Sequence, residues 1–253
     1  MNVVVLASES KTTWMLINAL KEDYPELKVA FEKPVSRVVL LKKRAKRIGY
    51  LKVFGQLLFL IYLQALRAVS RKKMDALHFS SGFNPLKSSD VNCTYFDSVN
   101  SVQCIEWLKS QCPDAVILNG TRIVSGDVLG AVNAVFLNTH CGITPAYRGV
   151  HGGYWALYQG FPELSGVTVH VVDTGIDTGD IVFQKTISTD TSDNFLTYPV
   201  KQYILGIGLM RKALACVSNH ELQVTKREDL PSGIWLHPTI FQYLWALILR
   251  GIK

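Results

Sequence analysis

Apolar positions along this chain fall first into short unbroken runs and then into a recurrence every three or four residues. Residues 3–7 form one such run, which turns polar at Ser8, and Trp14, Leu16, Ile17 and Leu20 follow at helical spacing. A strand, a loop and a helix are predicted. A second short strand is predicted over 29–31, and further strands over 93–96, 114–120, 134–140, 167–173 and 180–187. Segments 99–111, 194–217 and 235–249 read as helices, the last of them aromatic. This alternation predicts an α/β fold, a Rossmann-like and mostly parallel sheet flanked by helices. Ligands of open α/β sheets bind beyond the carboxyl ends of the strands, so the polar ends of 114–120, 134–140 and 167–173 are predicted to gather at one edge.

The stretch after Pro34 breaks this pattern. Val38, Leu41, Ala45, Ile48, Leu51, Phe54, Leu58, Ile61, Ala65 and Val69 keep a helical period, with Lys and Arg filling the other face. One or two amphipathic helices are predicted, broken near Gly49 or Gly55, as a long basic insertion (33–73) after the second strand. Twelve Lys or Arg and no Asp or Glu lie between Lys33 and Lys73, so with a net charge of +7 the rest of the chain sums to 7 − 12 = −5. Such a segment is expected to present a solvated helical face. An anionic membrane surface and acceptor phosphates are the other partners such a face suits. Between Lys52 and Arg67 there are 14 uncharged residues, short of the roughly 20 that span a bilayer, and no transmembrane helix is predicted.

Composition adds bounds. A hydrophobic content of 48% with 19% charged residues is that of a folded globular chain, organised as a catalytic domain over 1–217 and an extension over 218–253. Five scattered cysteines without a C-x-x-C pair suggest neither a disulfide framework nor a metal site, and fit a reducing cytoplasm. The first residues lack the basic and long apolar regions of a signal peptide.

The chemistry concentrates in two places. Asn138 and His140 are two apart at the end of a predicted strand, so their side chains share one face. Pro145 and Tyr147-Arg148-Gly149 follow in a turn-forming stretch. Asp177 lies in a loop with two glycines, Val172 to Asp180, directly after the next strand, and can fold over the same crevice. A carboxylate near an imidazole holds its tautomer and raises its basicity. Acyl transfer to an amine needs a base, an oxyanion donor and a group that orients the base. His170, inside a strand, reads as a packed or hydrogen-bonded core residue, and Cys141 is expected to face away from His140.

These residues resemble the folate-dependent formyltransferases. The resemblance runs over about 115–185, on Leu-Asn-Thr-His-x4-Pro-x-Tyr-Arg-Gly followed by Gly-Val-Thr-Val-His-Val-Val-Asp-Thr-Gly-Ile-Asp-Thr-Gly-Asp. It implies that Asn138 stabilises the oxyanion, that His140 is the general base and that Asp177 orients it. It also implies N10-formyltetrahydrofolate as formyl donor, its pterin held between Gly120, Thr121, Arg122, Ile123 and Val124 on one side and Asp173, Thr174 and Gly175 on the other. Ser8, Tyr147, Arg148 and Gly149 are implied on the acceptor side.

Family members differ in acceptor. The loop Ser8 to Thr12 has no glycine, unlike the phosphate loop of glycinamide ribonucleotide formyltransferases. Only 76 residues follow Asp177, against the added RNA-binding domain of methionyl-tRNA formyltransferases, so no nucleic acid partner is expected. Formyltetrahydrofolate deformylases place a regulatory domain before the first strand, which here begins at once. The expectation is a nucleotide-sugar N-formyltransferase acting on an amino sugar for surface polysaccharide, with a lipid-linked sugar as the acceptor that the basic insertion would suit. Trp235, Phe241, Tyr243 and Trp245 offer either a homodimer surface or a membrane-facing helix.

Overall fold

The computed structural model describes the backbone of residues 1–253 and every side chain except that of Arg37. In chain order the elements are β1 (Val3–Ser8), α1 (Lys11–Asp23), β2 (Lys28–Glu32), α2 (Arg37–Ile48), α3 (Tyr50–Ser80), β3 (Cys93–Phe96), α4 (Val102–Gln111), β4 (Ala115–Asn119) and α5 (Gly126–Leu129). They continue with β5 (Val135–His140), β6 (Arg148–Gly149), α6 (Gly152–Gln159), β7 (Gly166–Val171), β8 (Ile181–Thr186), α7 (Thr197–Ser218), β9 (Ile234–Trp235) and α8 (Ile240–Arg250).

Seven strands form one sheet in the order β3-β2-β1-β4-β5-β7-β8. Strands β3 to β5 are mutually parallel, and both faces of β1 are covered, which is why Val3 to Ala7 is apolar without alternation. One face packs on α1 and α7, burying Trp14, Met15, Ile17, Ile207 and Met210. The other packs on α4 and α5 through Cys104, Leu108 and Val128. Helix α1 starts at Ser10, whose hydroxyl accepts from the Thr13 N–H at 3.1 Å and satisfies one of the free donors of the first turn.

The predicted fold is met, with corrections to its details. β7 runs antiparallel to β5, pairing Asn138 with His170 and His140 with Thr168. Its end therefore does not emerge at the edge where β4 and β5 end, as expected from the apolar runs, because such a run carries no direction. The loop after β7 must fold back to reach that edge. Helix α4 begins at Val102 rather than at 99, capped by Ser101. Residues 234–235 pair with β6 instead of opening the last helix. Pro238 follows them, and Thr239 and Gln242 close a reciprocal capping box at the start of α8.

The basic insertion is two helices broken at Gly49, whose φ of +87° a residue with a side chain rarely adopts. Gly55 lies inside α3. By length and composition α3 is long and apolar enough to cross a bilayer, which the count of uncharged residues alone did not predict. Its inner face is packed: Phe59 meets Phe195 edge-on at 4.9 Å and Tyr243 at 5.0 Å, in an aromatic cluster shared by α3, α6, α7 and α8.

Candidate active site

Asn138 and His140 project from the same face of β5, and across the strand pair His170 stands opposite Asn138. Asp177 arrives from the loop after β7 with φ +51°, a conformation uncommon for residues with a side chain and best tolerated by Asn and Asp. That turn brings its carboxylate over both strand residues: Oδ2 lies 3.4 Å from His140 Nδ1, and Oδ1 lies 3.5 Å from Asn138 Nδ2 and 3.7 Å from His170 Nε2. The Gly149 N–H donates to Oδ2 at 2.9 Å, and Arg148 donates to the Ile176 carbonyl at 3.1 Å. The short strand β6 thus fastens the loop.

The hydrogen bonds settle which nitrogens carry protons. His140 Nε2 lies 2.6 Å from the Tyr147 carbonyl, which can only accept, so Nε2 is the protonated nitrogen of the neutral ring. Its Nδ1 lone pair then faces the cleft and Asp177. This approach needs Gly142, where a Cβ would collide with the Tyr147 carbonyl and lie 2.7 Å from His140 Nε2. His170 Nδ1 donates to the Val171 carbonyl at 2.8 Å, so its Nε2 accepts from Asn138 Nδ2 at 3.1 Å. That contact turns the amide's NH2 group inward. Its second N–H has only the 3.5 Å contact with Asp177 and is the donor available to a developing oxyanion.

Burial lowers the His140 pKa below the ordinary histidine value, against the opposing pull of Asp177 and the Tyr147 carbonyl, so the ring is neutral at neutral pH. Burial works to raise Asp177, but the Gly149 N–H that donates to Oδ2 at 2.9 Å opposes it, and the carboxyl lies below its ordinary value. A neutral base thus stands beside a fixed carboxylate. The Cys141 thiol is pushed by burial up to about 12, which leaves no thiolate for nucleophilic attack.

These groups open into a cleft of about 450 Å³. Gly120, Thr121, Arg122, Ile123 and Val124 line it, as do Asp173 and Gly175. Leu118 and Val172 add apolar wall, so the residues present suit a flat aromatic ring. The Arg122 guanidinium is anchored through Nε to Glu32 and through Nη2 to the carbonyls of Lys33 and Asp97, while its backbone N–H donates to Glu32 at 2.6 Å, which stiffens the loop.

Of the acceptor-side residues inferred from sequence, Gly149 lines the cleft, whereas Ser8, Tyr147 and Arg148 are outside its lining, as is Thr174 of the inferred pterin side. Ser8 donates to the Gly120 carbonyl at 2.7 Å and borders a neighbouring cleft with Glu9 and Tyr95. The Tyr147 ring is buried against Trp235 at 5.9 Å, and only its carbonyl serves the site. Sequence reasoning did not assign His170, Arg47, Trp235 or Leu236 to the cleft, yet all four line it. For His170 a signal existed, because pairing of the two motif strands would place it beside Asn138. No local signal marks the other three, which arrive from the insertion and from the segment before α8.

Residues 92–200 match the family model described as Formyl transferase. A methionyl-tRNA formyltransferase from Thermodesulfovibrio yellowstonii is 35% identical over 107 residues, which is 42% of this chain and 34% of that protein. The chain thus matches about a third of that relative's length. Among solved structures, glycinamide ribonucleotide transformylase 1 from Symbiobacterium toebii superposes with a TM-score of 0.59 at 20% identity, over 90% of this chain and 92% of that one. An N-formyltransferase from Helicobacter canadensis, solved with folinic acid and dTDP-3-aminofucose, gives 0.57 at 16% identity over 93% and 71%. Residues 92–200 thus match the formyl transferase model in sequence, and the chain as a whole shares the fold of these solved structures.

Proposed function

We propose that this protein transfers the formyl group of N10-formyltetrahydrofolate to the amino group of a nucleotide-linked amino sugar, as a step in building a surface polysaccharide. The observation that carries the reading is the joint placement, in one cleft, of an amide donor and a neutral imidazole with an open Nδ1 around one carboxylate, which lies 3.5 Å from the amide nitrogen and 3.4 Å from Nδ1.

The donor supplies an electrophilic formyl carbon, held between the 120–124 loop and Asp173 to Gly175. Asn138 Nδ2 donates to the carbonyl oxygen as negative charge develops there. His140 Nδ1 takes the proton that the attacking amine must lose, the imidazolium so formed is stabilised by Asp177 Oδ2 at 3.4 Å, and that proton passes to N10 of the donor as the bond from N10 to the formyl carbon breaks and tetrahydrofolate leaves. Asp177 keeps its own proton off throughout, as its low pKa requires.

The acceptor reading is supported by the cleft's outer wall, where Arg47 supplies a cation that suits phosphates. The ligand pair of the Helicobacter canadensis relative is of the same kind.

Tetrahydrofolate release, followed with a panel of nucleotide-linked amino sugars and with glycinamide ribonucleotide, tests this. Release that depends on one amino sugar is expected. Release without acceptor would make the protein a hydrolase, and release only with glycinamide ribonucleotide would replace the acceptor.

A further inference from the structure

Helix α3 turns Leu51, Phe54, Leu57, Ile61 and Val69 outward, each between 36% and 88% exposed. Helix α8 does the same with Phe241, Leu244, Trp245, Ile248 and Leu249, between 37% and 75% exposed. In α8 these recur at i, i+3, i+4, i+7 and i+8, one stripe opposite the buried Tyr243 and Ala246. The stripes adjoin. A Cβ built at Gly55 of α3 would lie 2.9 Å from Thr239 and 3.7 Å from Phe241, and Tyr62 packs on Tyr243 at 5.1 Å.

The same segment is rich in cations. Lys42, Lys43 and Lys46 of α2 and Lys72 of α3 are exposed, and among the described residues none has an acidic side chain within 4 Å. Lys72 falls eleven residues after Ile61, on the same helical face. An apolar stripe flanked by uncompensated Lys and Arg is the pattern of a helix lying in the plane of a bilayer surface.

We propose that the outer face of α2, α3 and α8 docks on an anionic lipid surface. A second copy of the chain suits this face less well, because a twofold contact would set its cations against the partner's identical cations. Anionic lipid answers both features at once: the acyl boundary takes the apolar side chains and the headgroups surround the cations. The docking is peripheral. Phe59 and Leu63 on the opposite side of α3 are in the protein core, and Gln56 Nε2 donates to the His237 carbonyl at 2.6 Å. Arg47, at the carboxyl end of α2, lines the catalytic cleft, so docking sets the mouth of the cleft beside the headgroups. This inference does not rest on the identity of the acceptor.

Vesicle flotation tests it, with phosphatidylcholine alone and with phosphatidylcholine plus phosphatidylglycerol. The protein is expected to float with the second only, and less so as salt rises. Two variants, Phe54→Glu with Ile248→Glu and Lys42→Glu with Lys43→Glu and Lys46→Glu, should each lower the partition at least about tenfold while thermal unfolding is unchanged. Two variants keep the test open should one fail to fold. Absence of flotation with phosphatidylglycerol, equal flotation with both vesicles, or undiminished flotation of the folded variants would overturn the proposal. So would a dimer in solution that Phe54→Glu dissociates, without vesicle binding.

Discussion

At the β5–β7 edge the polar side chains that carry chemistry are held by several partners each, whereas on the outer face of α3 and α8 large apolar side chains are left exposed. Asp177 receives the Gly149 N–H and faces His140, His170 and Asn138, and the turn that places it is fastened by Arg148. Phe54, Ile61 and Ile248, by contrast, are 57%, 69% and 75% exposed on helices whose opposite faces are well packed. The first region spends burial on holding groups still, and the second leaves burial undone. Preorganised groups are what a reaction needs, and an unburied apolar face is what a partner surface needs.

The comparison can be broken most directly at its catalytic half. His140→Asn should lower kcat about a thousandfold, within the range for loss of a general base, while unfolding stays near wild type. Stopped-turnover assays with calorimetry would check both. The two sides of α3 can be separated next. Phe59→Ala should cost about 3–5 kcal/mol of stability in denaturant titrations, as for a buried aromatic, and Phe54→Ala within about 0.5 kcal/mol. Equal costs would mean that the outer face is also packed.

Asp177→Asn should keep the left-handed backbone, since Asn tolerates it, yet lower kcat about a hundredfold with little change in KM. A change confined to KM would remove Asp177 from the proton path. His170→Ala should act through Asn138, lowering kcat about tenfold, because it frees the amide and leaves the base in place.

The smallest expected effect is in acid. His140 works as the neutral ring and its pKa is lowered, so kcat/KM should be flat through neutrality and fall only below the ordinary histidine range. Stability follows the same sign. His151 and His237, 2.8 Å apart, are held by burial at about 3 and about 4, against 6.5 for a free ring. The unfolded chain binds more protons than the folded one between those values, so stability should decline as pH falls from 6.5 towards 4. His237→Gln should flatten that decline in thermal unfolding at successive pH values.

Much of this was legible in the residues. The strand runs, the two motif segments and the break at Gly49 are local signals, and Asn138, His140 and Asp177 are close in sequence to the turns that place them. What was not legible depends on chain direction and on distance. An apolar run does not say that β7 is antiparallel, and so hid that His170 joins the site through register. Arg47 and Trp235 lie 91 residues before and 97 residues after Asn138 (138 − 47 and 235 − 138), and reach the cleft only through the packing of α3 on α8 and the pairing of β9 with β6. Tyr147 shows the opposite error of inference: it stands in the motif, but the site uses its carbonyl rather than its ring.

The most direct measurement is tetrahydrofolate release from N10-formyltetrahydrofolate with a soluble nucleotide-linked amino sugar, compared among wild type, His140→Asn and the Phe54→Glu, Ile248→Glu double variant. Turnover is expected in the first and third and almost none in the second. Near-normal turnover by His140→Asn would contradict it.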